Sequence, residues 1–311
     1  MVADRITVGV YALEQVILPR FPGAKGWAAR LAEASPQLSE GASAVSLVLT
    51  EGADGLALHG PMRLGDVTLP DAAQVVIEPV PARPDLFLVR VNGKALAVAS
   101  SVTWVAGQEL RSRGIEAPEA LSAYAAGTLI DTPDGQRPVE TLAAGDSVTT
   151  LGNGSRPLRR VGRRRVEVVE MLAHPGLRPV VFAAGTVGNE RALSVSPRQR
   201  MLIDDWRAAV YFGEDRVLVA AQALVDDQAA QVVLPAGGVD YVVLLCDRHE
   251  VLLAEGALSE SFHPGDAGLA GLSLTARAEI DAVVPEAELQ RRRAAFPIVR
   301  NAEARALRLQ L

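Results

Sequence analysis

Strand-length apolar runs, broken by Gly, Pro and Asn, dominate the first hundred residues and constrain the fold more than any other feature. They fall at Ala44–Thr50, Asp66–Leu69, Gln74–Val80, Leu86–Val91 and Leu96–Val105. Short runs with this punctuation predict a sandwich or barrel-like sheet. The sharpest local signal lies within Leu86–Val98, where Asn92-Gly93 supplies the two positive-φ residues that a type I′ hairpin turn requires. Between Gly26 and Leu38, the helical spacing of Trp27, Leu31 and Ala34 predicts one short surface helix, stopped by Pro36.

With 311 residues, 49% of them apolar, the chain can bury one large or two ordinary cores. A polar, helix-forming stretch from Gln108 to Ser122, carrying Arg111, Arg113, Glu116 and Glu119, marks the boundary. The expected organisation is a β-rich domain over 1–107, a linker over 108–122, a second β domain over 123–266 and a C-terminal extension over 267–311. In the second domain only Glu167–Ala173 reads as a helix of comparable strength. The extension holds three successive arginines within Glu286–Ala295 and a helical segment, Asn301–Leu311, with Ala and Leu on one face. The fold class is mainly β with a C-terminal helical tail.

Charge and composition narrow the function classes. The net charge of −6, from 37 acids and 31 bases, gives no whole-chain footprint for nucleic acid or an anionic membrane. The single cysteine, Cys246, allows no intrachain disulfide and no multi-cysteine metal site. Four histidines, at 59, 174, 249 and 263, argue against a histidine-rich metal site, and no cofactor is expected. The longest apolar runs, such as Tyr241–Cys246, are too short to span a bilayer, and the start of the chain lacks a signal-peptide core. Cytoplasmic residence is the default expectation, with a protein as the open partner class and no preference for any oligomeric state. Six arginines, at 156, 159, 160, 163, 164 and 165, are read as an outward-facing strand pair neutralised by Glu167, Glu170 and nearby carboxylates rather than as an anion site.

From Gly127 to Val148 the pattern is two strands around Pro133-Asp134-Gly135 and a second turn at Gly145-Asp146. Taken together, Gly127-Thr128, Val139-Glu140-x-Leu142 and Gly145-Asp146-x-Val148 resemble the opening of Hint domains, the self-cleaving fold shared by inteins and the hedgehog autoprocessing module. The resemblance continues in order through Asn153-Gly154, Arg163–Arg165, Val195–Leu202, Phe212–Asp215, Asp247–Glu250, Ala254–Gly256 and Glu260–Gly265, in the manner of the bacterial Hint subfamily. Asn301–Leu307 is similar to that subfamily's tail. Coverage begins near Ala123 and reaches the end of the chain, with no counterpart over 1–110.

The resemblance implies a chemistry and also its loss. A Hint domain's first residue attacks the preceding carbonyl through a thiol or hydroxyl, converting an amide into a thioester or ester. Here that position is Ala123, whose methyl group cannot attack. A histidine in a Thr/Ser-x-x-His segment is expected to protonate the departing nitrogen, and in Ser196-Pro197-Arg198-Gln199 its place is held by Gln199. Ser196 and His249 persist, with Thr128, Asp146 and Glu250 as supporting residues. No asparagine stands in Leu258–Ser261 to cyclise, so splicing is not expected.

These residues argue against an enzyme and for a Hint-like binding or scaffold module that has lost autoproteolysis. The alternative is an autoprocessing protein, cleaving near 122/123, carried in a mutated form or using an unusual nucleophile. Ser122 is one such candidate, although a one-residue shift in an extended segment should turn its side chain to the opposite face. Cys246 reads as a small buried hydrophobe. His249 is expected to hold backbone groups rather than move protons, and His59, His174 and His263 read as loop or surface residues.

Overall fold

A computed structural model describes residues 5–18, 26–33, 35–110, 122–263 and 293–304. The chain divides into two compact units, Met1–Ile115 with Glu167–Pro175, and Glu116–Val166 with Gly176–Leu311. Both are mainly β.

In the first unit six strands close a barrel. They are β1 (Arg5–Ala12), β2 (Val45–Gly52), β3 (Gly55–Leu58), β4 (Gln74–Val80), β5 (Arg83–Val91) and β6 (Lys94–Ser100), in the order β1-β6-β5-β4-β3-β2, with β2 returning to β1. Strand alternation fits the closure: along β1, Ile6, Val8, Val10 and Ala12 are buried while Arg5, Thr7 and Gly9 are exposed. The sequence reading has no strand at Arg5–Ala12, so the closing strand of the barrel is a finding of the structure. The β5–β6 hairpin turns at Asn92 (φ 47°) and Gly93 (φ 78°), the positive pair expected there. The last strand stops at Ser100 rather than continuing to Val105. Helix α1 (Trp27–Glu33) buries Leu31.

Gln108–Leu110, read from sequence as the start of a linker, belongs to this unit: Gln37 pairs with Glu109, and Leu110 donates its N–H to Pro36 O. Residues 111–121 of the expected linker lie outside the described residues. Helix α2 (Val168–Ala173), placed by sequence within 123–266, groups with the first unit and packs on β4. Val168, Val169, Met171 and Leu172 of this helix are buried.

The second unit is a 13-stranded sheet. Its strands are β7 (Tyr124–Ala125), β8 (Leu129–Thr132), β9 (Gly135–Pro138), β10 (Ser147–Thr150), β11 (Gly154–Val166), β12 (Val180–Phe182), β13 (Leu193–Val195), β14 (Arg200–Asp204), β15 (Arg216–Ala220), β16 (Ala230–Val232), β17 (Val239–Cys246), β18 (Val251–Ala254) and β19 (Ala257–Glu260). The main path runs β15-β14-β19-β18-β10-β11-β17-β7-β13-β12-β16, and β8 pairs with β9 and β18. The long ladder of β11 on β17 carries the arginine cluster. Arg159 and Arg165 pair with Asp247 and Asp240, and Arg163 donates to the carbonyls of Glu140 and Leu142.

A helix the sequence reading missed, α3 (Trp206–Phe212), stands between β14 and β15. Asp205 caps its N-terminus by accepting from Arg207 N–H, and Gly213 ends it in the left-handed conformation (φ 71°). Of the tail, helix α4 (Asn301–Ala304) lies within the described residues, and Val299 and Ala304 enter the main core. Arg293–Ala295 is not helical, and residues 286–292 and 305–311 lie outside the described residues.

Candidate functional site

Register brings the predicted site together. Tyr124 opposes Val195 across the antiparallel β7–β13 pair, so the next step of the same register sets Ala123 opposite Ser196. The two residues form a reciprocal clasp. Ala123 N–H donates to Ser196 Oγ at 3.0 Å, and Ser196 N–H donates to Ala123 O at 2.9 Å. The amide nitrogen expected to leave in a Hint reaction is thus held by the serine of the Ser-x-x-Gln segment.

A tight turn, closed by Gln199 N–H on Ser196 O, returns the chain toward the same junction. Gln199 is fully buried and both ends of its carboxamide are engaged: Oε1 accepts from Ser122 Oγ at 2.7 Å and Nε2 donates to Glu260 O at 2.7 Å. An amide so placed fixes geometry but carries no proton to give to a departing nitrogen.

The centre of the site is Glu260, which the sequence places in the Hint-like segment Glu260–Gly265 without assigning it a role. Met201 opposes Ser259 in the β14–β19 pair, which sets Arg200 across from Glu260. Arg200 Nη1 reaches Glu260 Oε1 and Oε2 at 3.1 and 2.9 Å, Ser122 Oγ reaches Oε1 at 2.8 Å, and His249 Nε2 reaches Oε2 at 3.1 Å. Burial pushes the Glu260 carboxyl upward, but the His249 hydrogen bond, the Arg200 charge and the Ser122 hydroxyl outweigh it and hold the group below its usual range. In sequence Glu260 stands between Ser259 and Ser261, at the head of the Hint-like segment Glu260–Gly265.

His249 is buried and uses both ring nitrogens. Ala295 N–H donates to Nδ1 at 3.0 Å, so in this arrangement the proton sits on Nε2 and points at Glu260. One partner is a backbone N–H and the other is a carboxylate. His263 is not a free surface residue: its ring meets that of His249 edge-on, centroids 4.5 Å apart. Burial, with the neighbouring His249, pushes its pKa down to about 4.

Tyr124 closes the floor. Its hydroxyl bonds Ser259 Oγ at 2.7 Å and donates to Glu260 O at 2.9 Å, and burial raises its pKa well above the ordinary phenol range. Ser122, expected to face away, instead points its hydroxyl at Gln199 and Glu260, because it precedes the short strand β7 and escapes that strand's alternation. Cys246 is buried in the core.

The three supporting residues anchor turns rather than joining Ser122. Asp146 Oδ2 accepts from Ala143 N–H and Arg137 Nη1 at 3.0 and 3.1 Å. Glu250 accepts from Asn153 Nδ2 at 2.7 Å, while its own N–H donates to Ser261 Oγ at 3.0 Å. Thr128 is buried, and its carbonyl accepts from Val139 N–H. Among the described residues, no group of three His, Cys, Asp or Glu side chains is arranged to hold a metal ion, and no helix is long and apolar enough to cross a membrane.

The second unit thus holds the Ser122–Ala123 junction between a Ser-x-x-Gln turn and a His–Glu pair. Residues 122–266 match the model of the Hint domain family, and this part of the chain is a Hint domain. Among solved structures it is similar to a bacterial intein-like domain from Clostridium thermocellum, at 14% identity and a TM-score of 0.32, covering 46% of this chain and 99% of that one. No curated protein matches the chain.

Proposed function

We propose that this Hint domain serves as a binding or scaffold module and does not cleave its own chain at 122/123. The observation that carries the reading is the Ala123–Ser196 clasp: the position of the nucleophile holds a buried methyl, and the position of the acid holds a carboxamide spent on Ser122 and Glu260. Attack on a carbonyl needs a thiol or hydroxyl, and expulsion of the amine needs a proton donor. The frame that would position both is kept, which suits a domain retained for its surface and its rigidity.

One observation favours a second reading, autoprocessing from an unusual nucleophile. Ser122 Oγ sits 2.8 Å from a buried carboxylate backed by a histidine. Against it, Glu260 is held below its usual pKa and is correspondingly a weak base toward an alcohol. Incubating the full chain with hydroxylamine and measuring its mass separates the readings. The proposal expects one intact species, a split between 121 and 122 would establish Ser122 as nucleophile, and a split between 122 and 123 would overturn the proposal in favour of autoprocessing by a nucleophile other than Ser122.

A further inference from the structure

The C-terminal stretch 293–304 is seated on the Hint domain in the way a peptide ligand is seated on a sheet edge. β15 ends the main path of the sheet, and Ile298 lies parallel to Leu218 on its outer side. Leu218 N–H donates to Pro297 O at 2.8 Å, and Val299 N–H donates to Leu218 O at 3.0 Å. The side chains divide between two faces. Phe296 packs with Leu202, Leu218 and Val251, and Val299 enters the main core, whereas Pro297 and Ile298 face outward. One step earlier, Ala295 N–H caps His249 Nδ1.

Main-chain pairing along an edge, with pockets for selected side chains, is how sheets recognise extended peptides. Proline fits this role, since at 297 the pairing uses its carbonyl and asks for no N–H. We propose that the outer edge of β15 is a peptide-binding site for an extended segment with an aromatic residue, proline next, and valine three after the aromatic. Residues 295–299 are its resident occupant, and a partner protein carrying such a segment docks in their place. The proposal rests on the binding-module reading and names the partner class for it.

The test keeps the full chain and ejects the occupant. In a Phe296→Asp/Val299→Asp variant, a fluorescein-labelled peptide of residues 293–304 should bind saturably, one per chain. The unaltered chain should take it up at least about tenfold more weakly, because its own segment competes intramolecularly. A scrambled peptide should not bind the variant. A folded variant that takes up no peptide, equal uptake by the unaltered chain or of the scrambled peptide, or loss of the β-sheet circular dichroism in the variant each overturns the proposal. The last would make the segment a permanent part of the fold. The mass of the same samples reads the other claim separately: fragments split at 121–123 would end the uncleaved-module reading without bearing on peptide exchange.

Discussion

Ser122 and Glu260, 138 positions apart in the chain, meet at 2.8 Å in the interior of the Hint domain. The same hydroxyl lies 2.7 Å from Gln199 Oε1, so one proton is shared between two acceptors. Removing it takes this donor from the buried Gln199 oxygen and one of several donors from Glu260 Oε1, which keeps Arg200 Nη1. Ser122→Ala should therefore cost about 1–3 kcal/mol, read as a lower urea midpoint at unchanged m-value. An unshifted midpoint would mean that water replaces the hydroxyl at no cost.

Glu260 joins Ser122, Arg200 and His249, so its loss should be the most damaging polar substitution in the site. Glu260→Ala strands the Arg200 guanidinium and is expected to cost about 3–5 kcal/mol. The sign of its pH dependence follows from its lowered pKa. The contribution is fully present above the ordinary glutamate value of about 4.3 and is lost as pH falls through the lower folded value. Urea denaturation of Glu260→Gln should show a lower baseline stability and a flattened acid limb below about pH 4.

His263 acts in a different window. Its folded pKa of about 4 means that the folded chain resists a proton which the unfolded chain accepts at about 6.5. The unfolded state binds more protons between those values, so stability should decline as pH falls from about 6.5 toward 4. His249, Glu260 and Arg200 act on this ring. His263→Gln should remove the slope in that interval, as measured by denaturation at pH 7 and pH 5, and leave the lower limb due to Glu260 in place.

What was legible in the sequence was what local chemistry encodes. Asn92-Gly93 announced its hairpin because a type I′ turn needs positive φ at both positions, and the motif order from Gly127 onward placed Ala123, Ser196 and Gln199 around one junction. Glu260 was not legible, because its partners arrive by register: Arg200 across β14–β19, Ser122 from before β7, and His249 from before β18. Helix α3 had its Asp205 cap and Gly213 stop in plain view, but Trp206, Val210 and Tyr211 are exposed, so its apolar residues did not mark a core-facing stripe. The strand Arg5–Ala12 alternates cleanly and could have been read from period-two patterning.

The central claim is that the Hint frame is intact and only its reacting groups are missing. Ala123→Cys combined with Gln199→His tests both halves at once, because it returns a thiol to the Ser196 clasp and a titratable ring beside Glu260. Intact mass after incubation with dithiothreitol should show the double variant split between 122 and 123, with the unaltered chain remaining whole. A double variant that stays whole while folded would contradict the claim that the frame is preserved, and a split unaltered chain would contradict the claim that its chemistry is gone.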